Sequence, residues 1–234
     1  SASVSYACEK ANFKSHSFKA SLNASEKNLM RSCFDKENVP SPKFVKISDN
    51  DVSNILTKDF IKASKYPLVV KPVDNMGARG CRMIRDESEL IFSVNEAIKN
   101  SRSKNCILEE YMEGPEFSID ALVYDGTMTI TGFADRHIFF PPYFIEMGHT
   151  MPTRISKDKY NELIKTFAFG VKALGLTTGA AKADIKYTKN GPMIGEIAAR
   201  LSGGYMSGWT FPYSSDFNLT KAAIEISCGK KPLE

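Results

Sequence analysis

The order of strand-like and helix-like segments predicts an α+β fold built on antiparallel sheets. The dipeptides Asp125-Gly126 and Asn190-Gly191 each stand between two strand-like segments, and both favour the tight turn of a β-hairpin. Helical segments separate the strands without the regular alternation that is typical of a parallel sheet. The 234 residues are enough for one large domain or two small lobes with buried cores.

The strands are predicted where β-branched and apolar residues are bounded by turn residues. The clearest segment is 68–73, which has turn residues on both sides and leads into a glycine-containing loop. Two later pairs of segments form the hairpins that close at Gly126 and Gly191. In chain order the predicted strands are residues 44–47, 68–73, 81–84, 106–110, 116–124, 127–134, 181–187 and 192–197.

The helices are predicted from apolar residues at helical spacing and from capping residues. The clearest begins at Ser156 and ends before Gly175, where a glycine favours the helix C-terminus. Another helix follows Asp86, with Glu89 three residues further on as in a capping box. The remaining helical segments are 25–37, 49–63 and 216–228. Residues 1–24 are polar and rich in Ser and Lys, and we interpret them as a linker from an upstream domain or a short helix.

Composition excludes several classes of protein. Hydrophobic residues make up 42% and charged residues 25%, as in soluble globular domains. No apolar run approaches the roughly 18 residues of a membrane span. Lys and Arg number 31 against 27 Asp and Glu, a net charge of +4, and they are scattered along the chain, which does not indicate a nucleic-acid surface. The five cysteines form no CxxC pair, so we expect free thiols in a cytoplasmic protein.

Three segments carry residues suited to phosphate and metal chemistry. In VVKPVDNMGARG, Lys71 ends a strand beside a glycine-containing loop, an arrangement that suits phosphate oxygens but also an ordinary hairpin. In ILEEYMEGPEFSID, four glutamates fall within eight residues, either on a solvated turn or directed into a cleft. In KADIKYTKNGPMIGEIAAR, a hairpin brings Asp184 and Glu196 to one edge, followed by Arg200. This set suits Mg²⁺ and a phosphate, or a structural salt bridge.

Together and in this order, the three segments resemble the ATP-grasp superfamily, and the resemblance runs from about residue 25 to the C-terminus. It implies two lobes, each with an antiparallel sheet and helices, with ATP between them. The implied bounds are 25–109 for the N-terminal lobe and 110–234 for the C-terminal lobe, and 1–24 would be the linker from an upstream Rossmann-like domain. Relatives named by this resemblance include carbamoyl-phosphate synthase, biotin carboxylase and phosphoribosylglycinamide-type domains.

The resemblance also implies roles for individual residues. Lys71 and Arg200 would act on the transferred phosphate, and Asp184 and Glu196 would hold Mg²⁺. The residues implied to bind the nucleotide are Lys27, Lys71, Gly77, Gly80, Glu109, Glu110, Met112 and Glu116.

The implied activity is an ATP- and Mg²⁺-dependent carboxylate–amine ligase that passes through an acyl phosphate. For the acceptor substrates we expect Arg136 or Arg154 to bind a carboxylate and Glu146 an amine, in an aromatic, proline-rich loop that also carries His137 and His149. The contacts expected after Arg200 are Ser202, Gly203 and Gly204.

Two departures from the family pattern keep alternatives open. Ala198 stands where many members have an asparagine ligand to a second magnesium ion, and only some 24 residues precede the first helix. A nucleotide-binding fragment without independent ligase activity, or a subunit like biotin carboxylase or carbamoyl-phosphate synthase, therefore stays an alternative. A homo-oligomer also stays open, and neither nucleic acid nor a membrane is expected as a partner.

Overall fold

The computed structural model describes residues 1–232 and contains nine strands and eight α-helices in that range. The strands are β1 Phe44–Ser48, β2 Leu68–Pro72, β3 Arg82–Ile84, β4 Asn105–Glu110, β5 Glu116–Tyr124, β6 Thr127–Phe139, β7 Ile145–Thr150, β8 Gly179–Thr188 and β9 Gly191–Ala198. The α-helices are α1 Ala2–Lys10, α2 Phe18–Asn23, α3 Lys27–Lys36, α4 Asp59–Ala63, α5 Leu90–Lys99, α6 Lys157–Leu174, α7 Phe211–Ser215 and α8 Leu219–Ser227. Short 3₁₀ helices cover Asp49–Thr57 and Glu87–Glu89, and a π-helical turn covers Met206–Thr210.

The strands form two separate antiparallel sheets. The first sheet has the order β1-β4-β2-β3, and the second has the order β7-β6-β5-β8-β9. Every pair of neighbouring strands in both sheets is antiparallel. This architecture confirms the α+β class and the hairpins predicted at Gly126 and Gly191.

Each sheet has its own hydrophobic core. In the first sheet, Leu68, Val70 and Leu108 pack against α5 and the 3₁₀ segment Asp49–Thr57. In the second sheet, one face packs against α6, where Phe167 and Leu163 are fully buried. Two smaller clusters join β5 and β6 to α7 and α8. Each sheet therefore packs on a core of its own.

The N-terminal helices pack on the second sheet. Ala20, Met30 and Phe34 belong to the core that contains α6 and β8. His16 is buried and accepts a hydrogen bond from the Thr178 amide at Nδ1, while its Nε2 lies 2.9 Å from the Ala180 carbonyl oxygen. Residues 1–24 thus include two ordered helices, and α3 shares its core with the C-terminal sheet.

Two expectations about the later part of the chain were wrong. The segment predicted as an aromatic, proline-rich loop contains the end of β6 and all of β7, so His137, Glu146 and His149 lie on paired strands. Period-two alternation is weak there because every residue of β7 is exposed or half-buried, so neither face of the strand is buried in a core. The last helix begins at Leu219, with Asn218 as its cap, because Asp216 adopts a left-handed conformation.

Two further findings concern the described part of the chain. Within residues 1–232, no helix combines the length and the apolar character that crossing a bilayer requires. The five cysteines are free thiols, as the sequence predicts, and Cys106 is fully buried in the first core.

Candidate functional site

A cleft of about 500 Å³ lies between the two sheets. One side comes from β2, β4 and the loop 74–80, and we call Lys71, Glu109 and that loop the first wall. The opposite side comes from β6, β8 and β9, and we call Arg136, Lys182, Asp184 and Glu196 the second wall. Residues 111–115 join β4 to β5 and form the hinge between the sheets. The cleft is therefore built where two independently packed lobes meet.

A buried carboxylate organises the first wall. Glu109 on β4 is 1% exposed and lies between two cations. Arg31 Nε donates to its Oε1 at 2.6 Å, and Lys71 Nζ lies 2.7 Å from its Oε2. Burial alone would raise the pKa of Glu109, but the charges of Arg31 and Lys71 outweigh burial and hold the pKa below its ordinary value. Glu109 is thus ionised and holds the Lys71 ammonium at the cleft surface.

Lys27 connects the glycine loop to the second wall. Its amide donates to the Val73 carbonyl at 3.0 Å, which places the start of α3 beside β2. Its ammonium donates to the Asn75 carbonyl at 3.1 Å and lies 3.5 Å from Glu196 Oε1. The predicted pair of lysines, Lys27 and Lys71, therefore lines one cleft although the two residues are far apart in sequence.

The two glycines of the loop have different surroundings. Gly77 lines the cleft with φ at +68°, and a methyl group there would have open space around it. Gly80 does not line the cleft. A methyl group on Gly80 would lie 2.8 Å from Asn100 Cβ and 2.8 Å from Pro72 Cγ, so this glycine is required for packing.

The second wall brings two carboxylates side by side. Asp184 on β8 and Glu196 on β9 are directly opposite in the strand register. Asp184 pairs with Lys182 and lies 3.2 Å from Arg136, while the Glu196 side chain is 41% exposed. Burial alone would raise both pKa values, but Lys182 and Arg136 hold the pKa of Asp184 low, and Lys27 holds that of Glu196 low. Both groups are thus anionic at neutral pH.

These two carboxylates fit a magnesium ion. Among residues 1–232, no three or more His, Cys, Asp or Glu side chains are placed together to hold a metal. Mg²⁺ is commonly held by only one or two carboxylates, with substrate phosphates and water completing the coordination. The ionised carboxylates of Asp184 and Glu196 provide this donor set at the cleft surface.

Arg136 occupies the centre of the acidic groups. It pairs with Glu116 and donates from Nε to Glu146 Oε2 at 2.7 Å, besides its contact with Asp184. His149 lies beside Glu146, with Nε2 3.9 Å from Oε1, and burial lowers its pKa. Arg136 therefore pairs with carboxylates from three strands.

The buried Asp120 holds the segment that follows Arg200. Ser202 is buried, and its amide donates to Asp120 Oδ2 at 3.0 Å while its hydroxyl donates to Asp120 Oδ1. Burial raises the pKa of Asp120. Arg200, Ser202, Gly203 and Gly204 all line the cleft. The predicted contacts after Arg200 are thus on its surface, while the Ser202 hydroxyl already has a partner.

The cleft gathers fifteen of the seventeen residues singled out from the sequence. The two exceptions are Gly80 and Arg154. Arg154 is exposed and does not line the cleft. The residues that do line it are Lys27, Lys71, Gly77, Glu109, Glu110, Met112, Glu116, Arg136, Glu146, Asp184, Glu196, Arg200, Ser202, Gly203 and Gly204. Their individual roles remain predictions.

Sequence reasoning missed Arg31, Lys182 and Lys186. Arg31 lies on a helix whose charged face predicts a solvated surface, and nothing local indicates its contact with Glu109 78 residues away. Lys182 and Lys186 alternate with Asp184 along β8. This period-two spacing puts all three on one face of the strand and could have indicated them.

The fold and the cleft between its two sheets are those of an α+β domain of the ATP-grasp class. Residues 64–208, more than half of the chain, match the family model of the ATP-grasp domain. The chain therefore belongs to the ATP-grasp family, and the resemblance found in the sequence is confirmed.

Similar proteins include several ligases. Alanine–anticapsin ligase of Bacillus subtilis is 26% identical over 230 residues, which cover 88% of this chain and 47% of that protein. Human carnosine synthase 1 is 28% identical over 127 residues, 54% of this chain and 15% of that protein. The crystal structure of an L-amino acid ligase from Bacillus licheniformis superposes with a TM-score of 0.80 at 24% identity, covering 98% of this chain and 53% of that one. The chain thus spans about half, or less, of these relatives.

Proposed function

We propose that this chain carries the ATP- and Mg²⁺-dependent step of a carboxylate–amine ligase. The observation that carries the proposal is the pair Asp184 and Glu196, which lie side by side in register in one cleft with the Lys27 ammonium 3.5 Å from Glu196. Carnosine synthase, alanine–anticapsin ligase and the L-amino acid ligase support the reaction class through their names.

The first wall and the hinge would hold the nucleotide. Lys27 and Lys71 bind the phosphates, and the loop carrying Gly77 covers them. The backbone of Glu110 and Met112 contacts the base, while the Glu116 carboxylate accepts hydrogen bonds from the ribose hydroxyls. Because both oxygens of Glu109 already have cationic partners, we assign to Glu109 the role of orienting Lys71 towards the phosphates.

Asp184 and Glu196 would hold Mg²⁺, which supplies charge neutralisation to the phosphates. Binding requires these carboxylates to exchange the cations that now pair with them. Lys27 and Arg136 can then turn towards anionic groups of the substrates, since each already lines the cleft. The same cations would thus serve the carboxylates in the folded chain and the substrates in the complex.

The chemistry consists of two displacements. An oxygen of the substrate carboxylate attacks the γ-phosphorus of ATP, the bond to the β,γ-bridging oxygen breaks, and ADP leaves. Lys71 and Arg200 stabilise the charge on the transferred group. An amine then attacks the carbonyl carbon of the acyl phosphate, inorganic phosphate leaves, and the nitrogen loses a proton. The closed cleft would protect the acyl phosphate from water.

The acceptor side of the cleft suits a small organic substrate. Arg136 and Glu146 offer opposite charges, and the backbone of Gly203 and Gly204 leaves room for close approach. Phe144, Ile145 and Met206 add apolar surface to the same part of the cleft. We assign the substrate carboxylate to Arg136 and the amine to Glu146, and we do not assign Arg154.

Calorimetric titration with a non-hydrolysable ATP analogue, with and without Mg²⁺, tests the nucleotide site. We expect Mg²⁺-dependent binding to the wild type and a loss of binding in Lys71→Ala. The matched control is Lys189→Ala, because Lys189 is exposed on the β8–β9 turn. Folded wild-type protein that does not bind the analogue would contradict the proposal.

A second candidate is a nucleotide-binding piece that requires the rest of a longer protein for ligation. Two observations favour this candidate. The chain covers 15% of human carnosine synthase 1 and 47% of alanine–anticapsin ligase, and Ala198 stands at the position of an asparagine metal ligand in many family members. ADP release with pairs of amino acids separates the two candidates: nucleotide binding without any amine-dependent ADP release would support the second one.

A further inference from the structure

Lys186 on β8 lies at the junction of the hinge and the second sheet. Its side chain is 13% exposed and lines the cleft. In the strand register Lys186 stands directly opposite Glu116, the first residue of β5. The two side chains therefore share one face of the sheet. They lie at the end of β5 and β8 that is next to the hinge.

Three separate contacts tie Lys186 to the hinge region. Its ammonium donates to the Met112 carbonyl at 3.1 Å. The ammonium also lies 3.6 Å from Glu116 Oε2 and 5.0 Å from the centre of the Tyr111 ring. The ion pair with Glu116 and the cation–π contact with Tyr111 depend on the positive charge of the lysine, and this charge also strengthens the hydrogen bond to Met112.

Tyr187, the residue that follows Lys186, contacts the hinge through its backbone. The Tyr187 amide donates to the Pro115 carbonyl at 3.0 Å, and Gly114 approaches the Tyr187 carbonyl so closely that a methyl group there would lie 2.2 Å from it. These contacts fix the end of the hinge. The Lys186 side chain instead reaches Met112, which lies nearer to the start of the hinge.

We propose that Lys186 is a positioning residue for the nucleotide, which fixes the Met112 carbonyl and the Glu116 carboxylate relative to each other. This inference rests on the proposed function, in which the hinge backbone binds the base and Glu116 binds the ribose. A single ammonium that holds both groups couples the base subsite to the ribose subsite. Without it, Glu116 would keep only Arg136, which is shared with Glu146 and Asp184.

The test measures ribose preference and not affinity alone. Calorimetry gives the ratio of Kd values for the 2′,3′-dideoxy form of ATP and for ATP, both with Mg²⁺, on wild type, Lys186→Met and Glu116→Gln. We expect Lys186→Met to weaken ATP binding about tenfold, the size of one charged hydrogen bond, and to reduce the preference for ribose. The double variant Lys186→Met/Glu116→Gln should have the same ratio of Kd values as Glu116→Gln alone, because Lys186 acts on the ribose through Glu116.

Matched variants separate positioning from a structural effect. Lys186→Arg should restore most of the ribose preference, while Lys186→Gln, which keeps a donor for Met112 without the charge, should restore little. Lys189→Met is the control on the same hairpin, and thermal unfolding checks each fold. If the wild type binds no nucleotide, the proposed function fails and this inference fails with it. If the wild type binds and Lys186→Met or Lys186→Gln keeps the wild-type ratio, only the inference is overturned.

Discussion

Glu109 on the first wall and Glu196 on the second wall of the cleft differ in burial and in pairing. On the first wall, Glu109 is 1% exposed and both of its oxygens have close cationic partners. On the second wall, the Glu196 side chain is 41% exposed and its nearest cation, Lys27, lies 3.5 Å away. Glu109 is therefore part of the folded framework, whereas Glu196 is accessible to an incoming ion. Similar residues thus differ in role because burial and pairing differ.

The difference predicts that the second wall controls turnover. Glu196→Gln keeps the size of the side chain but removes the charge that we assign to Mg²⁺. We expect Mg²⁺-dependent ADP release to fall by at least about 100-fold, the size of losses from removing one electrostatic contact in a reaction centre. Urea denaturation should show a midpoint close to that of the wild type. Glu87→Gln, at an exposed glutamate, is the control, and full activity of Glu196→Gln would disprove the metal assignment.

The first wall should control stability instead. Arg31→Met removes one of the two cations on a buried carboxylate, and breaking such a pair typically costs about 3–5 kcal/mol of unfolding free energy. Chemical denaturation followed by circular dichroism measures the change. Lys182→Met on the second wall should cost less, because the Lys182 side chain is 13% exposed, whereas Arg31 is 1% exposed and also donates to the Gly195 carbonyl. An Arg31→Met protein as stable as Lys182→Met would erase the distinction between the walls.

Acid should reveal the same difference. The pKa of Glu109 is held below its ordinary value, so its pairing stabilises the fold above the unfolded pKa of about 4.3, and this stability is lost as the pH falls further. Glu109→Gln should therefore make stability less dependent on pH between about 5 and 3. Denaturant midpoints measured across this range test the prediction, which an unchanged slope would contradict.

The smallest expected effect concerns the glycine loop. Gly77→Ala should cost roughly 1–2 kcal/mol, the strain of a left-handed alanine, because its surroundings are open. Gly80→Ala carries the same strain and also a steric contact with Pro72 and Asn100, so it should be the less stable of the two. Comparing their thermal midpoints tests whether Gly80 serves packing and not the cleft. Equal thermal midpoints would mean that Gly80 has no packing role beyond its backbone conformation.

Local sequence patterns were sufficient for most of the fold. Turn dipeptides at Gly126 and Gly191 located two hairpins, and apolar spacing located α6 with its C-terminal glycine. These signals are local because a turn conformation or one helix face depends on residues a few positions apart. The edge strand β7 was missed because its exposed faces carry no clear alternation.

The sequence by itself also determined the chemistry of the cleft: Asp184 and Glu196 are opposed in one hairpin, and Lys71 ends a strand next to a glycine loop. Only the tertiary structure decided which partners these charges have. Arg31 reaches Glu109 across 78 positions, and Lys186 meets the hinge carbonyl across 74. It also decided that α3 packs on the second sheet and that Arg154 stays outside the cleft. Such contacts depend on how the two sheets face each other, which no local pattern encodes.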